Sequence, residues 1–181
     1  DVCSSDLATP TFVSENGTKK PAPTEIGTAT HLVLQQVDLH QQPTKKTVVD
    51  LISNLVKTGI LQENVAAQIN VDGILRFYQS PLGQAVLANP DTTYREVPFS
   101  LLMKANQAFK DFDKNDDQRI LVHGIIDGYV ETNDGVILFD YKTDRLTPKT
   151  TVETILERYE GQLRLYGQAL EKILGKPISK K

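Results

Sequence analysis

The sequence predicts a mixed α/β domain of the α+β kind: helices first, a sheet next, one long helix last. Three observations carry that expectation. Residues 25–89 place apolar side chains at helical steps between cap and turn residues. From Thr93 the pattern changes to runs rich in Val, Ile, Leu and Phe, which read as strands. Near the end, positions 152, 156, 159, 163, 166, 170 and 173 are apolar or aromatic and step by three and four. The chain has 181 residues, 39% hydrophobic and 24% charged, which suits one soluble globular domain with a sizeable core.

The elements follow in order. "DVCSSDL" lacks periodicity and "PTFVSENGTKKPAPTE" is rich in Pro, Thr, Ser and Lys, so residues 1–24 read as an irregular lead-in or linker ahead of a domain at 25–181. A first helix is expected over about Glu25 to Leu39, with Thr24 at its N-cap. "TKKTVVDLISNLVKTG" is a second helix ending near Gly59, and "LQENVAAQI" begins a third. "SPLGQAVLAN" is a short one, with Ser80 at the N-cap and Pro81 at the first helical position. "TYREVPFSLLMK" is β-like, and Pro98 makes it an edge strand or a bulged one. "RILVHGIIDGYVET" and "GVILFDYKT" are the two strands of a hairpin. Thr150 and Glu153 form a capping box for the last helix. "LGKPISKK" stops just after it, as a fragment of a longer chain would.

The hairpin raises the chemical question. Asp127, Asp140 and Lys142 stand among apolar residues, and an ionised carboxylate is costly to bury unless it is paired or binds a metal. Strand side chains alternate, so Asp140 and Lys142 share a face. A two-residue loop Asn133-Asp134, or a four-residue loop from Thr132 to Gly135, sets Asp127 directly across from Asp140. A loop Asp134-Gly135 sets Asp127 opposite Lys142, with Asp140 diagonal. Every even-length loop keeps all three on one face, roughly 5 Å apart at Cβ when opposed and roughly 7 Å when diagonal. Two such carboxylates beside an ammonium suit a hard cation, Mg²⁺ or Mn²⁺. The competing reading is an Asp–Lys ion pair on a solvated face. Against it stand strands that are apolar on both faces, and a spacing that metal-assisted phosphodiester cleavage requires.

Several classes are excluded. A net charge of −3 gives no general attraction to nucleic acid or anionic membrane, although a local basic groove remains compatible with it. One cysteine, Cys3, rules out an internal disulfide framework and a four-thiolate metal site. No apolar run approaches 18 residues, and the first residues do not form a signal peptide. "DKNDDQRILVHG" opens like a calcium loop with Asp113, Asn115 and Asp117, but Gln118 replaces the glycine and Gly124 the closing glutamate, so it reads as a solvated loop.

"GIIDGYV…ILFDYKTD" resembles the core of the PD-(D/E)XK nuclease superfamily, in the form carried by RecB-like nucleases. "GTATHLVLQ" looks like that group's upstream helix with its metal-binding histidine. "YREVPFSL" looks like its intermediate strand, and "QLRLYGQALE" like its Q-x-x-x-Y motif. The four blocks occur in the family's order over about Glu25 to Leu174. Within the superfamily the likeness is nearest to the C-terminal nuclease domains of the AddA-type chains of AddAB helicase–nucleases.

The resemblance implies a restriction-endonuclease-like core, a central mixed sheet flanked by helices. It implies Asp127, Asp140 and the Tyr141 carbonyl as metal ligands, with His31 adding a nitrogen. Lys142 would orient the attacking water or stabilise the phosphate in flight. Glu96 would support metal or water, and Gln162 and Tyr166, one turn apart, would hold DNA or Lys142. It also implies a Mg²⁺-dependent DNA exonuclease, with Mn²⁺ as substitute, acting on unwound single strands in bacterial double-strand-break repair and recombination. Its partners would be single-stranded DNA and an AddB-like second subunit, in the cytoplasm and away from membrane. The iron–sulfur cluster of some relatives needs four cysteines, and this chain has one. No Walker A pattern is present, so ATP belongs to a helicase part outside this sequence. The alternative is a nuclease-fold scaffold or DNA clamp without activity. Read singly, His31 or Tyr166 is as easily a packed residue, His40 and His123 read as surface or packing histidines, and Tyr159 belongs to the apolar stripe of the last helix.

Overall fold

The computed structural model describes residues 20–105, 118–143 and 151–180. Five helices precede the sheet: α1 (Pro23–Gln36), α2 (Lys45–Lys57), α3 (Glu63–Ala66), α4 (Val71–Gln79) and α5 (Pro81–Ala88). A 3-10 turn, Pro90–Thr92, leads into β1 (Thr93–Lys104). Then come β2 (Arg119–Thr132), β3 (Gly135–Phe139), α6 (Val152–Leu174) and β4 (Ile178–Lys180).

The caps explain most boundaries. Thr44 caps α2 by accepting from the Thr47 amide, and Gly59 takes the left-handed turn beyond it (φ 73°). Ser80 Oγ accepts from the Gly83 amide at 3.1 Å with Pro81 at the first position, as expected. α1 differs from expectation. Pro23 starts it one residue ahead of Thr24, and the Glu25 carboxylate accepts the Ala22 amide at 2.6 Å, so Thr24 lies inside the helix. α1 also stops at Gln36, short of Leu39, where the Arg95 guanidinium takes the Leu34 and Val37 carbonyls at 2.9 and 2.8 Å. α6 is capped by Thr151, whose hydroxyl accepts from Thr154, so Glu153 is not the capping-box partner; Thr150 lies outside the described residues. α4 is not among the expected elements, although Val71, Ile74, Leu75 and Tyr78 step helically behind an Asn70 cap. Of the calcium-like loop, Asp113, Asn115 and Asp117 lie outside the described residues, and 119–124 form the start of β2.

The sheet order is β1-β2-β3-β4. β1, β2 and β3 are antiparallel, and β4 is parallel to β3. Pro98 thus sits on an edge strand. Thr132 pairs with Gly135, so the hairpin turn is Asn133-Asp134, the first of the registers considered.

Two hydrophobic clusters sandwich this sheet. The larger joins α1–α5 to Val130 and Phe139, with Tyr78, Val33 and Val86 fully buried. The smaller joins α6, through Ala169 and Leu170, to Phe99, Ile126, Tyr129, Val136 and Leu138. The faces exchange part-way along β1 and β2. Val97, Phe99 and Ile126 face α6, yet beyond Asp127 it is Tyr129 that joins them, stacked on Tyr94 at 4.8 Å, while Val130 joins the helical cluster. The exchange coincides with Glu96, whose backbone adopts φ 53°. Gly128 permits it: a Cβ there would lie 2.3 Å from the Phe139 ring.

Candidate active site

Continuing the strand register sets Glu96 opposite Asp127, since Arg95 pairs with Gly128 and Val97 with Ile126. Likewise Asp127 lies opposite Asp140, next to the Gly128–Phe139 pair. Three acidic residues therefore form a row across three strands, at the point where the sheet changes faces. The bend lifts them out of both hydrophobic clusters without exposing them fully.

α1 lies over this row and supplies His31, whose Nδ1 is 3.6 Å from Asp127 Oδ2. One donor atom each from His31, Glu96 and Asp127 lie within 4.8 Å of one another. The Tyr141 amide donates to Asp127 Oδ2 at 2.7 Å. Burial raises the Asp127 carboxyl above its ordinary value, the charge of Asp140 raises it further, and the Tyr141 amide opposes the shift. Such a carboxylate is short of positive charge.

Asp140 is more deeply buried, its side chain 4% exposed. One oxygen pairs with the Lys142 ammonium. The other accepts from Gln162 Nε2 of α6 at 3.2 Å. Lys142 also lies over the Tyr159 ring, 4.0 Å from its centroid. Tyr166 packs edge-on against Phe99 at 5.3 Å, and its hydroxyl hangs over Gly124, where a Cβ would stand 3.3 Å away. The Tyr141 ring points away from Asp140 into the helical core, against Phe77 at 5.1 Å and Phe139 at 5.4 Å, with the His31 ring at 5.8 Å. Burial pushes its phenol far above the ordinary tyrosine range.

All the site residues expected from sequence thus gather at one seam, in two groups. His31, Glu96 and Asp127 face one another; Asp140, Lys142 and Gln162 are bonded together beside them. Tyr166 is the most distant in character, packed chiefly among apolar side chains. His123 is exposed opposite Ser100, and exposed His40 lies 3.9 Å from Asp91, so neither joins the site. Sequence reasoning misses two contributors. Tyr159 stands three residues before Gln162 on one helix face, a spacing that could have flagged it. Arg95 holds the end of α1, and nothing local in "TYREVPF" points to that.

A groove of about 570 Å³ opens on the seam. Thr24, Gly27, Thr28, His31 and Gln35 of α1 form one wall, and Glu96, Ile125 and Asp127 the other. Carboxylate oxygens with one imidazole are donors suited to a hard divalent cation, and the raised Asp127 carboxyl marks a place where added positive charge is favourable. The residues present fit such an ion.

A four-stranded mixed sheet between helical layers, with an aspartate on one hairpin strand and Asp-x-Lys following the other, is the architecture of a restriction-endonuclease-like nuclease domain. The chain belongs to the PD-(D/E)XK nuclease superfamily, which it matches over residues 7–180. It is 51% identical over 176 residues to the AddA chain of the ATP-dependent helicase/nuclease of Levilactobacillus brevis, covering 96% of this chain and 14% of that protein. The protein of the same name from Lactiplantibacillus plantarum is 47% identical over 163 residues, 90% of this chain and 13% of that one. That from Limosilactobacillus fermentum is 43% identical over 175 residues, 94% and 13%. The chain therefore spans about a seventh of the length of the relatives it matches. No described helix is long and apolar enough to cross a membrane.

Proposed function

We propose that this chain is the nuclease domain of an AddA-type ATP-dependent helicase/nuclease, where it hydrolyses DNA phosphodiester bonds with Mg²⁺, or Mn²⁺ in its place. The observation that supports this most is the seam itself: His31, Glu96 and Asp127 converge within 4.8 Å, and Asp140 with Lys142 stands one register step away. His31, Asp127, Asp140 and the Tyr141 carbonyl would hold the ion, which supplies a Lewis acid toward the phosphate and lowers the pKa of water at the site.

The chain's own groups do the rest. Glu96 accepts a hydrogen bond from the attacking water and keeps its lone pair turned to phosphorus. As the water oxygen bonds to phosphorus and the bond to the leaving sugar oxygen breaks, negative charge grows on the non-bridging oxygens. The Lys142 ammonium donates to them, an interaction stronger in the transition state than in the bound substrate. Gln162 fixes the Asp140 carboxylate, and Tyr166 braces α6 against β1. The groove between α1 and β2 receives the strand. The net charge of −3 suits a domain fed by a motor better than one that captures DNA unaided. Unwound single strands in break repair and recombination are therefore the substrate we infer, with an AddB-like second chain for partner in the bacterial cytoplasm.

The test pairs calorimetric Mn²⁺ titration with cleavage of labelled single strands. Lys142→Ala should bind Mn²⁺ as the unaltered chain does and cut about a hundredfold more slowly or worse. Unchanged cutting by Lys142→Ala would overturn the mechanism. Metal binding without any cutting by the unaltered chain would favour the scaffold.

A further inference from the structure

Lysine is a poor candidate for a precisely aimed charge. Its ammonium sits on a four-carbon stem with several rotatable bonds, and a free one samples many positions. Lys142 is nonetheless held from two sides. The Asp140 carboxylate pairs with it, and the Tyr159 ring lies under it, with Nζ 4.0 Å from the centroid. The site is only partly open, the Lys142 side chain being 25% exposed.

These two holds differ in kind. The carboxylate engages the ammonium through its N–H groups and belongs to the proposed ion site. A ring face attracts the charge through its quadrupole and leaves N–H groups directed elsewhere. Tyr159 also shares a face of α6 with Gln162, the residue that fixes the other Asp140 oxygen at 3.2 Å. One helix turn thus holds both members of the Asp140–Lys142 pair.

We propose that Tyr159 is a positioning residue that aims the Lys142 ammonium through its ring face, so that the lysine stays in place when Asp140 turns to a cation. This rests on the reading of Lys142 above. The hydroxyl is not required. The aiming acts on the charge that develops during reaction, so it appears in kcat and not in KM.

The experiment replaces Tyr159 by Phe, by Leu, and by phenylalanines carrying one, two and three ring fluorines, which weaken the quadrupole at nearly constant shape. Tyr159→Phe should keep kcat within about twofold, and Tyr159→Leu should lower it roughly 3- to 30-fold with KM unchanged. The fluorinated series should fall stepwise. A second readout needs no metal and no turnover: the Lys142 ε-methylene protons should show a ring-current shift that Tyr159→Phe keeps and Tyr159→Leu loses. A flat fluorine series, or Phe as impaired as Leu, overturns the inference even if Leu fails to fold. With Lys142→Ala as control the two readings separate. If that variant still cuts, the mechanism itself is wrong; if it does not cut while the series stays flat, only the role of Tyr159 is.

Discussion

The helical cluster of α1–α5 and the cluster under α6 are built from the same kinds of residue, yet they meet the seam differently. The first delivers backbone placement. Ala29, Val33 and Leu34 are buried on α1, and Arg95 pins its end, so His31 is set by packing alone. The second delivers polar contacts. From α6, Gln162 bonds Asp140 and Tyr159 lies beneath Lys142. The difference teaches that charges at a border between two cores are positioned by one and electrostatically completed by the other. Neither cluster alone could bury Asp140 to 4% exposure and still leave its carboxylate paired.

The sharpest way to break this comparison is to open a cavity in each cluster. Leu55 and Leu170 are 2% and 1% exposed, and each change to Ala should cost about 2–5 kcal/mol in chemical denaturation. Leu55→Ala should leave kcat of the folded fraction near normal, because α2 touches no site residue. Leu170→Ala should lower kcat as well, because α6 loses its seat. Equal kcat losses in both would erase the distinction. A smaller effect is expected at the bend. A Cβ at Gly128 would lie 2.3 Å from the Phe139 ring and 3.1 Å from the Tyr94 carbonyl. Gly128→Ala should therefore destabilise by about 1–3 kcal/mol and weaken Mn²⁺ binding, since it spreads the strands beside Asp127. Full stability with this substitution would show that the face exchange tolerates a side chain.

The smallest effect runs the other way. The folded-state pKa of Asp127 is raised, so its contribution to stability is fully present below the unfolded pKa and is lost as pH rises through the raised value. At neutral pH, with chelator, its charge thus weakens the fold. Asp127→Asn should raise Tm there by a few degrees, a gain that shrinks as the buffer is made acidic. Mn²⁺ should raise Tm of the unaltered chain and not of the variant. A lower Tm for the variant in chelator at every pH would mean that the carboxylate is already compensated.

What the sequence determined by itself was local. Caps and periodicity placed α2, α5, α6 and the β2–β3 hairpin, because helical and strand steps and Ser80-Pro81 act over a few residues. Pro98 marked an edge because it cannot donate to a second neighbour. Alternation placed Asp127, Asp140 and Lys142 on one face for any even loop. The tertiary structure decided everything that depends on residues far apart in the chain. It selected the Asn133-Asp134 turn over Asp134-Gly135, because that register sends Leu138 to α6 and Phe139 to the helices. It exchanged the sheet faces at Glu96, which alternation alone forbids and two opposed cores demand. It ended α1 early at Arg95, laid His31 over Asp127, and set Tyr159 under Lys142. Those contacts arise from burial shared between distant segments, and no periodicity in one segment encodes where another will press against it.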